Sequence, residues 1–555
     1  MNKELFQDIK NLKHGKWLVR ILLAVAVLTY GYFVTHSTIG MDDTAIETYF
    51  VDGFAPYVGR WTLFLLNYVF DFATYTPYFM DILGVALLVL SAYLFCVLWT
   101  RISGGNIHIL SLTAFATIFI TYPLVGEVYI FYLHNGISFS LVLMALTGLA
   151  WWDYLSKGKW KQLIWMTLFL SLAIGCYEAF ATVYIVLICG IYILAITKGT
   201  IEKRKFKIWL KDLALAALPL IFAMLIRTIV YSAICAALGL DTSARDMSAL
   251  YLWFVNPPLI LLKDLIYQFL MRFVCNGKYI FGVKIFVITT AVFALTSLFF
   301  IIAKKKWSML LFYIGILLGP WLLIFLQLVI TPYRATQALM LFIAFGWLIC
   351  FEYLFLFDWK KCRKAIQICA AIILSVVVFR QAFELHQYFY FDAVKDKYNE
   401  TYCHELAQEL LREYDTSKPV IFIGQREMPE PFREREYLSF DSQEYYNFSR
   451  QFNFGNTIAF TNFVDPRQGY RIYDIAATDT LDWMSYSDLS DGEYEVYRYM
   501  EMLGYKFEYP AKDIIIDVRD KAMNTDYYPV WPEKGSIVED ENYIYVYLGK
   551  VLVNF

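Results

Sequence analysis

Cysteine is scarce, with nine in 555 residues, and no pair has the spacing of a metal-ligand set or a disulfide framework. Six of them, Cys96, Cys176, Cys189, Cys235, Cys350 and Cys369, fall inside apolar runs, where a thiol behaves as a small hydrophobe. Only Cys275 and Cys403 sit in stretches that read as extracytoplasmic. No metal site and no cofactor are therefore expected. A P-loop and a strand-borne G-x-G-x-x-G are missing too, which argues against a soluble nucleotide-sugar enzyme. Internal repeats and low-complexity linkers are absent, and so are the matching halves that transporters tend to show. Charge is also thin, at 18% of residues with a formal net charge of -2, and implies no nucleic-acid partner. The basic N-terminus runs into an apolar segment without an A-x-A-like cleavage site, ending in Tyr30, Tyr32 and His36, and reads as a retained first span.

What the chain has in abundance is apolar side chains. Hydrophobic residues make up 59% and aromatics 19%, with a mean hydropathy of +0.49, where a soluble protein would carry about 45–50% apolar residues. A spanning helix needs about 20 mostly apolar residues to cross about 30 Å of hydrocarbon. That ruler predicts about eleven spans, near 18–37, 80–99, 107–125, 136–153, 162–176, 179–197, 213–237, 283–303, 308–330, 335–357 and 365–385, with Gly175-Cys176-Tyr177-Glu178 as the turn between the fifth and sixth. Lysine and arginine fall in alternate loops: Arg101, then Lys157 to Lys161, Lys198 to Lys211, Lys304 to Lys306 and Lys360 to Lys364. The positive-inside rule puts those loops and the N-terminus in the cytoplasm. The intervening loops and the tail from about 386 are then extracytoplasmic, in the plasma membrane of a bacterium.

Two domains follow. Residues 1–385 form a multi-span membrane domain. Residues 386–555 form an α/β domain, with helical periodicity over 384–414, a buried strand at 418–424, and strands at 513–518 and 543–553. The long segment 240–284 holds Pro257-Pro258 and mixes Lys263, Asp264, Arg272 and Lys278 with apolar residues. It suits an amphipathic helix in the headgroup plane, either as a scaffold anchored by tryptophan or as the wall of a groove for a lipid tail.

Polar residues gather at the extracytoplasmic helix ends. Asp42 and Asp43 lie just past the first span, where two adjacent acids carry a desolvation penalty. They either cap the helix in the headgroup layer or do chemistry, as the base that activates an acceptor hydroxyl. With no glycine-rich phosphate loop, any phosphate must be held by arginine, whose planar guanidinium grips two oxygens. Arg60 and Arg334 are the first candidates, Arg272 and Lys278 the next, and each alone would also serve as a headgroup or ion-pair contact. Glu127, His134, Tyr177, Glu178 and Tyr333 are the candidates for binding substrate. For His134 the alternative is a satisfied hydrogen-bonding partner, and for Tyr177 and Glu178 a pinned interhelical turn.

The first loop with Asp42-Asp43 and Gly59-Arg60-Trp61, the segment 171–184 around Tyr177-Glu178, Tyr333-Arg334 opening a late span, the polar helix over 380–415 and the closing Trp531-Pro532-Glu533-Lys534-Gly535-Ser536-Ile537 together resemble the Gtr-type glucosyltransferases. These are polytopic membrane enzymes of O-antigen serotype conversion, with relatives in Gram-positive wall-polysaccharide synthesis. The resemblance implies a GT-C type glycosyltransferase with a polyprenyl-phosphate-linked sugar as donor and a polysaccharide or lipid-linked oligosaccharide as acceptor. It makes Asp42 or Asp43 the catalytic base. A Tyr-Gln pair is expected where this chain has Tyr177-Glu178, so the sugar-binding role does not carry over directly to Glu178. The rival class is a transporter or flippase of lipid-linked sugar, against which the gathering of charge at one face speaks.

Overall fold

The computed structural model describes residues 7–549, apart from 11, 13, 40–42, 44, 45, 47–49, 51–53, 202–205, 241–257, 260, 261, 263, 264, 267, 268, 270–280, 328–334, 357–361, 425–438, 441–471, 474–494 and 524–526. Helix follows the apolar runs. The helices are α1 (Gly15–Thr35), α2 (Phe54–Tyr57), α3 (Trp61–Phe70), α4 (Pro77–Ile102), α5 (Ile109–Thr121), α6 (Gly126–Tyr129), α7 (His134–Lys157), α8 (Lys161–Cys176), α9 (Phe180–Lys198), α10 (Phe206–Leu238), α11 (Phe281–Lys304), α12 (Met309–Leu318), α13 (Leu322–Gln327), α14 (Gln337–Leu356) and α15 (Arg363–Glu413). Among the described residues eight helices are long and apolar enough to cross a membrane: α1, α4, α7, α9, α10, α11, α14 and α15. Of the eleven expected spans, the other three coincide with shorter apolar helices, α5, α8 and α12.

Local chemistry accounts for the shortening. The apolar run over 107–125 ends its helix at Thr121, because Tyr122 precedes Pro123 and takes an extended ψ of 117°. The run over 308–330 is interrupted by a 3-10 turn, Gly319–Trp321, centred on Pro320. The segment 240–284 lies largely outside the described residues.

The bundle packs on one large apolar core built from all the long helices. Its outer surface is apolar as well: Ile221, Phe222, Leu225 and Ile229 on α10 and Ile368, Ile372 and Val376 on α15 are exposed, as hydrocarbon-facing helices require. Where helices approach closely, glycine makes room. A Cβ on Gly175 of α8 would sit 2.3 Å from Thr62 Oγ1 and 2.4 Å from the Trp61 ring, so α3 seats directly on α8.

Helix α15 runs unbroken from the last apolar segment into the polar residues after it. Beyond it lie β1 (Val420–Ile423), the two-residue strands β2 (Ser439–Phe440) and β3 (Ile472–Tyr473), α16 (Glu495–Met502), α17 (Lys512–Met523), β4 (Ile537–Glu539) and β5 (Ile544–Tyr547). Strand β5 is central, parallel to β1 and antiparallel to β4. The sheet, α16, α17 and the C-terminal part of α15 bury a second apolar cluster that includes Cys403, Leu406 and Leu410.

The strand expected at 513–518 is instead helix α17. The run Ile514-Ile515-Ile516 has strand-like branching. However, Asp513 starts the first turn, where an acid favours the helix dipole, and the residues in contact with the core are Ile514, Ile515, Val518 and Ala522, a helical stripe. The expected strand at 418–424 is met by β1 (420–423), and that at 543–553 by β5 over 544–547, with 550–553 outside the described residues.

Candidate functional site: an acidic cleft at one end of the bundle

The end of the bundle formed by the C-terminus of α1 and the N-termini of α4 and α7 holds a cleft lined by Asp43, Ile46, Arg60, Leu63, Val128, Phe131, Leu133, His134, Ile137, Cys176 and Tyr177. A second, smaller pocket on the other side of Asp43 is lined in part by Ser37, Thr38, Tyr75, Asp81 and Tyr129. The Asp43 side of the cleft therefore joins two cavities.

Asp43 is 3% exposed, and its Oδ1 accepts the backbone N–H of Tyr132 at 2.8 Å. The loop before it is tied down independently. Thr38 Oγ1 donates to Asp392 Oδ2 of α15 at 2.6 Å, Tyr75 donates its hydroxyl to the Thr38 carbonyl at 2.9 Å, and Ile39 packs on the second apolar cluster. Burial lifts the Tyr75 phenol well above its usual range, and the charges of Asp43, Asp396 and Asp81 push it the same way.

Arg60 is delivered by a tight turn. Helix α2 ends at Tyr57; two residues on, Gly59 has a φ of 86°, open to glycine and strained for other residues, and Arg60 then precedes the first turn of α3. Its guanidinium lies over the Tyr177 ring, 5.0 Å from the centroid, a cation–π geometry. The Gly175 contact that seats α3 on α8 brings these two residues together.

His134 lines the cleft but is itself buried. Its Nδ1 is 2.9 Å from the Phe131 carbonyl and its Nε2 3.7 Å from Asp81 Oδ1. The ring lies between Phe33 and Tyr129 and against Gly84, where any Cβ would fall 2.3 Å from it. Nδ1 ties the ring to the 131–134 backbone that presents the Tyr132 N–H to Asp43, while Nε2 is buried with no hydrogen-bond partner among the described residues. Glu178 pairs with Arg227 of α10, Arg227 Nη2 donating to Oε2 at 3.0 Å, so it pins the turn between α8 and α9. Glu127 is buried within α6 and does not line the cleft.

Asp43, Arg60, His134 and Tyr177 are therefore brought together, with Glu178 alongside. Asp42, Arg272, Lys278, Tyr333 and Arg334 lie outside the described residues. Sequence reasoning overlooked Asp81, Arg227 and Asp392. The first two carried a signal, as charges inside apolar runs. Asp392 carried none, since it sits in a stretch of helix rich in charge. Among the described residues no cluster of His, Cys, Asp and Glu suits a metal ion.

Long apolar helices with a hydrocarbon-compatible surface and a polar cleft at one end define a polytopic membrane protein. The family model for glucosyl transferase GtrII matches residues 31–351, more than half of the chain and all of the cleft. The chain belongs to the GtrII glucosyltransferase family, and its activity class is glycosyl transfer. No curated protein and no solved structure matches it.

Proposed function

We propose that this enzyme transfers a hexose, glucose or a close relative, from a polyprenyl-phosphate-linked donor to a cell-surface polysaccharide on the outer face of the bacterial cytoplasmic membrane, with inversion. The observation that carries the reading is Asp43, a buried carboxylate fixed by a backbone N–H on a loop anchored at Thr38, at the wall of a cleft that also holds a guanidinium. The acceptor hydroxyl gives its proton to the Asp43 carboxylate as its oxygen attacks the anomeric carbon. The bond from that carbon to the phosphate oxygen breaks, and its electron pair leaves with the polyprenyl phosphate. One displacement inverts the anomeric centre. Positioned base catalysis of this kind contributes about 10²–10⁴-fold. Asp42, the neighbouring acid, is the alternative base.

Arg60, held over Tyr177, is placed to neutralise phosphate charge as it develops, with Arg334, Arg272 and Lys278 as further candidates. Tyr177 and Leu63 offer apolar area for a sugar face. The basic loops at the opposite end of the bundle support a cleft that opens away from the cytoplasm. The region from 386 onward we take as an extracytoplasmic α/β domain that presents or recognises the acceptor.

The test is transfer by the full-length chain in nanodiscs, from a panel of synthetic polyprenyl-phosphate hexoses to purified wall polysaccharide. The reading expects one donor to be consumed, with a product of inverted anomeric configuration. No donor consumed, with labelled lipid-linked sugar instead crossing proteoliposome membranes, would replace it with a transporter.

A further inference from the structure

We propose that Arg227 binds the phosphate of the lipid-linked donor, holding it at the membrane-facing edge of the cleft; this rests on the donor reading above. Arg227 is the single charged residue in the apolar stretch 213–237, on a helix whose surface is largely exposed and apolar. A charge within an apolar span is rare and marks a functional position by default. It lies sixteen residues beyond Lys211, which is about 24 Å along the axis at 1.5 Å per residue. That places the guanidinium near the far boundary of a hydrocarbon layer about 30 Å thick, at headgroup depth.

The guanidinium is only partly used. Nη2 donates to Glu178 at 3.0 Å, while Nε is buried without a hydrogen-bond partner among the described residues. A guanidinium carries five donors in a fork that matches phosphate oxygens. Glu178, with its side chain 38% exposed, directly follows Tyr177, which lines the cleft beneath Arg60. Two guanidinium groups thus flank the Tyr177-Glu178 turn, one at the cleft and one on α10, where the Arg227 side chain is 14% exposed. Met224, one turn before Arg227, exposes apolar surface on the same side of α10, where the polyprenyl chain can lie while its phosphate meets the arginine. Glu178 holds Arg227 in place until the phosphate displaces it.

The experiment compares binding of undecaprenyl phosphate with binding of undecaprenol, which lacks the phosphate, to the full-length chain in zwitterionic nanodiscs. The wild type should prefer the phosphate. Arg227→Gln should weaken phosphate binding by about tenfold or more and leave the alcohol unchanged, since charge-assisted contacts of this type are worth that much. Arg227→Lys should fall between, and Glu178→Gln, which removes the competing carboxylate, should bind phosphate as tightly as the wild type or more so. Lys211→Gln on the same helix should have no effect. A purely structural ion pair predicts instead that Arg227→Gln and Glu178→Gln lose binding in parallel, and that result overturns the proposal. So does phosphate binding by Arg227→Gln at the wild-type level. If Arg227→Gln does not fold, the lysine and Glu178→Gln variants still decide by their opposite directions. A wild type with no preference for phosphate defeats the donor reading itself, and this inference with it.

Discussion

The two ends of the helical bundle use carboxylates in opposite ways. At the basic end the buried acids Asp153 and Glu352 face cations. Arg101 bridges Asp8 and Asp153, with Asp153 also 3.1 Å from Lys157. Lys198 pairs with Glu352, whose other oxygen accepts the His108 backbone N–H at 2.9 Å. These contacts tie α4 to α7, and α9 to α14 and the start of α5. At the cleft end, Asp43 is held by a backbone N–H and Asp392 by a threonine hydroxyl, and Asp81 lies beside a buried imidazole. The same residue types lock helices together at one end and line a cavity at the other. A carboxylate consumed in an ion pair between helices is architecture, whereas one at a cavity wall can meet a substrate hydroxyl.

That contrast can be broken from the basic end first. Lys198→Met leaves the Glu352 charge buried, and breaking such a pair costs about 3–5 kcal/mol. The expected result is a large fall in melting temperature in detergent with the activity per folded molecule intact, and Lys198→Met combined with Glu352→Gln should recover most of the loss. If the single variant kept its stability but lost transfer, the division of labour between the two ends would be wrong. At the cleft end, Thr38→Val strips a charge-assisted hydrogen bond from buried Asp392, worth about 1.5–3 kcal/mol. Its signature should be local: faster hydrogen exchange over 36–39 and slower transfer, with little change in global melting. Smaller still is Gly84→Ala. Its methyl must push the His134 ring aside, an overpacking cost of about 1–3 kcal/mol, and it should slow transfer by loosening the 131–134 backbone. Gly190→Ala, whose new Cβ would stand an ordinary 3.4 Å from Phe345, is the matched control and should change neither quantity.

Much of this was legible in the chain. Hydrophobic run length located the helices, because backbone groups in hydrocarbon leave few alternatives to helix. Pro123 and Pro320 shortened two of them through chemistry that is itself written in the sequence. The grouping of Asp43, Arg60, His134 and Tyr177 followed from their places at helix ends on one face. What could not be read was which of them touch. That His134 is a buried strut depends on Gly84, fifty residues away, and that Glu178 pins a turn depends on Arg227 from a helix not adjacent to it in sequence. The tie from Thr38 to Asp392 spans 354 positions. The misread strand at 513–518 shows the limit of local propensity: three branched residues in a row suggested extension, and burial on one helical stripe decided otherwise.

The most direct test of the central claim is the turnover of Asp43→Asn, measured beside Asp42→Asn, with undecaprenyl phosphate binding and melting temperature recorded on the same preparations. Asparagine keeps the size of the side chain and an oxygen to accept the Tyr132 N–H, and loses the negative charge and the capacity to take a proton. The account predicts that Asp43→Asn melts and binds like the wild type while its turnover falls by about 10²–10⁴-fold, and that Asp42→Asn retains activity. Wild-type turnover in Asp43→Asn would contradict it, and loss confined to Asp42→Asn would move the base to the neighbouring residue.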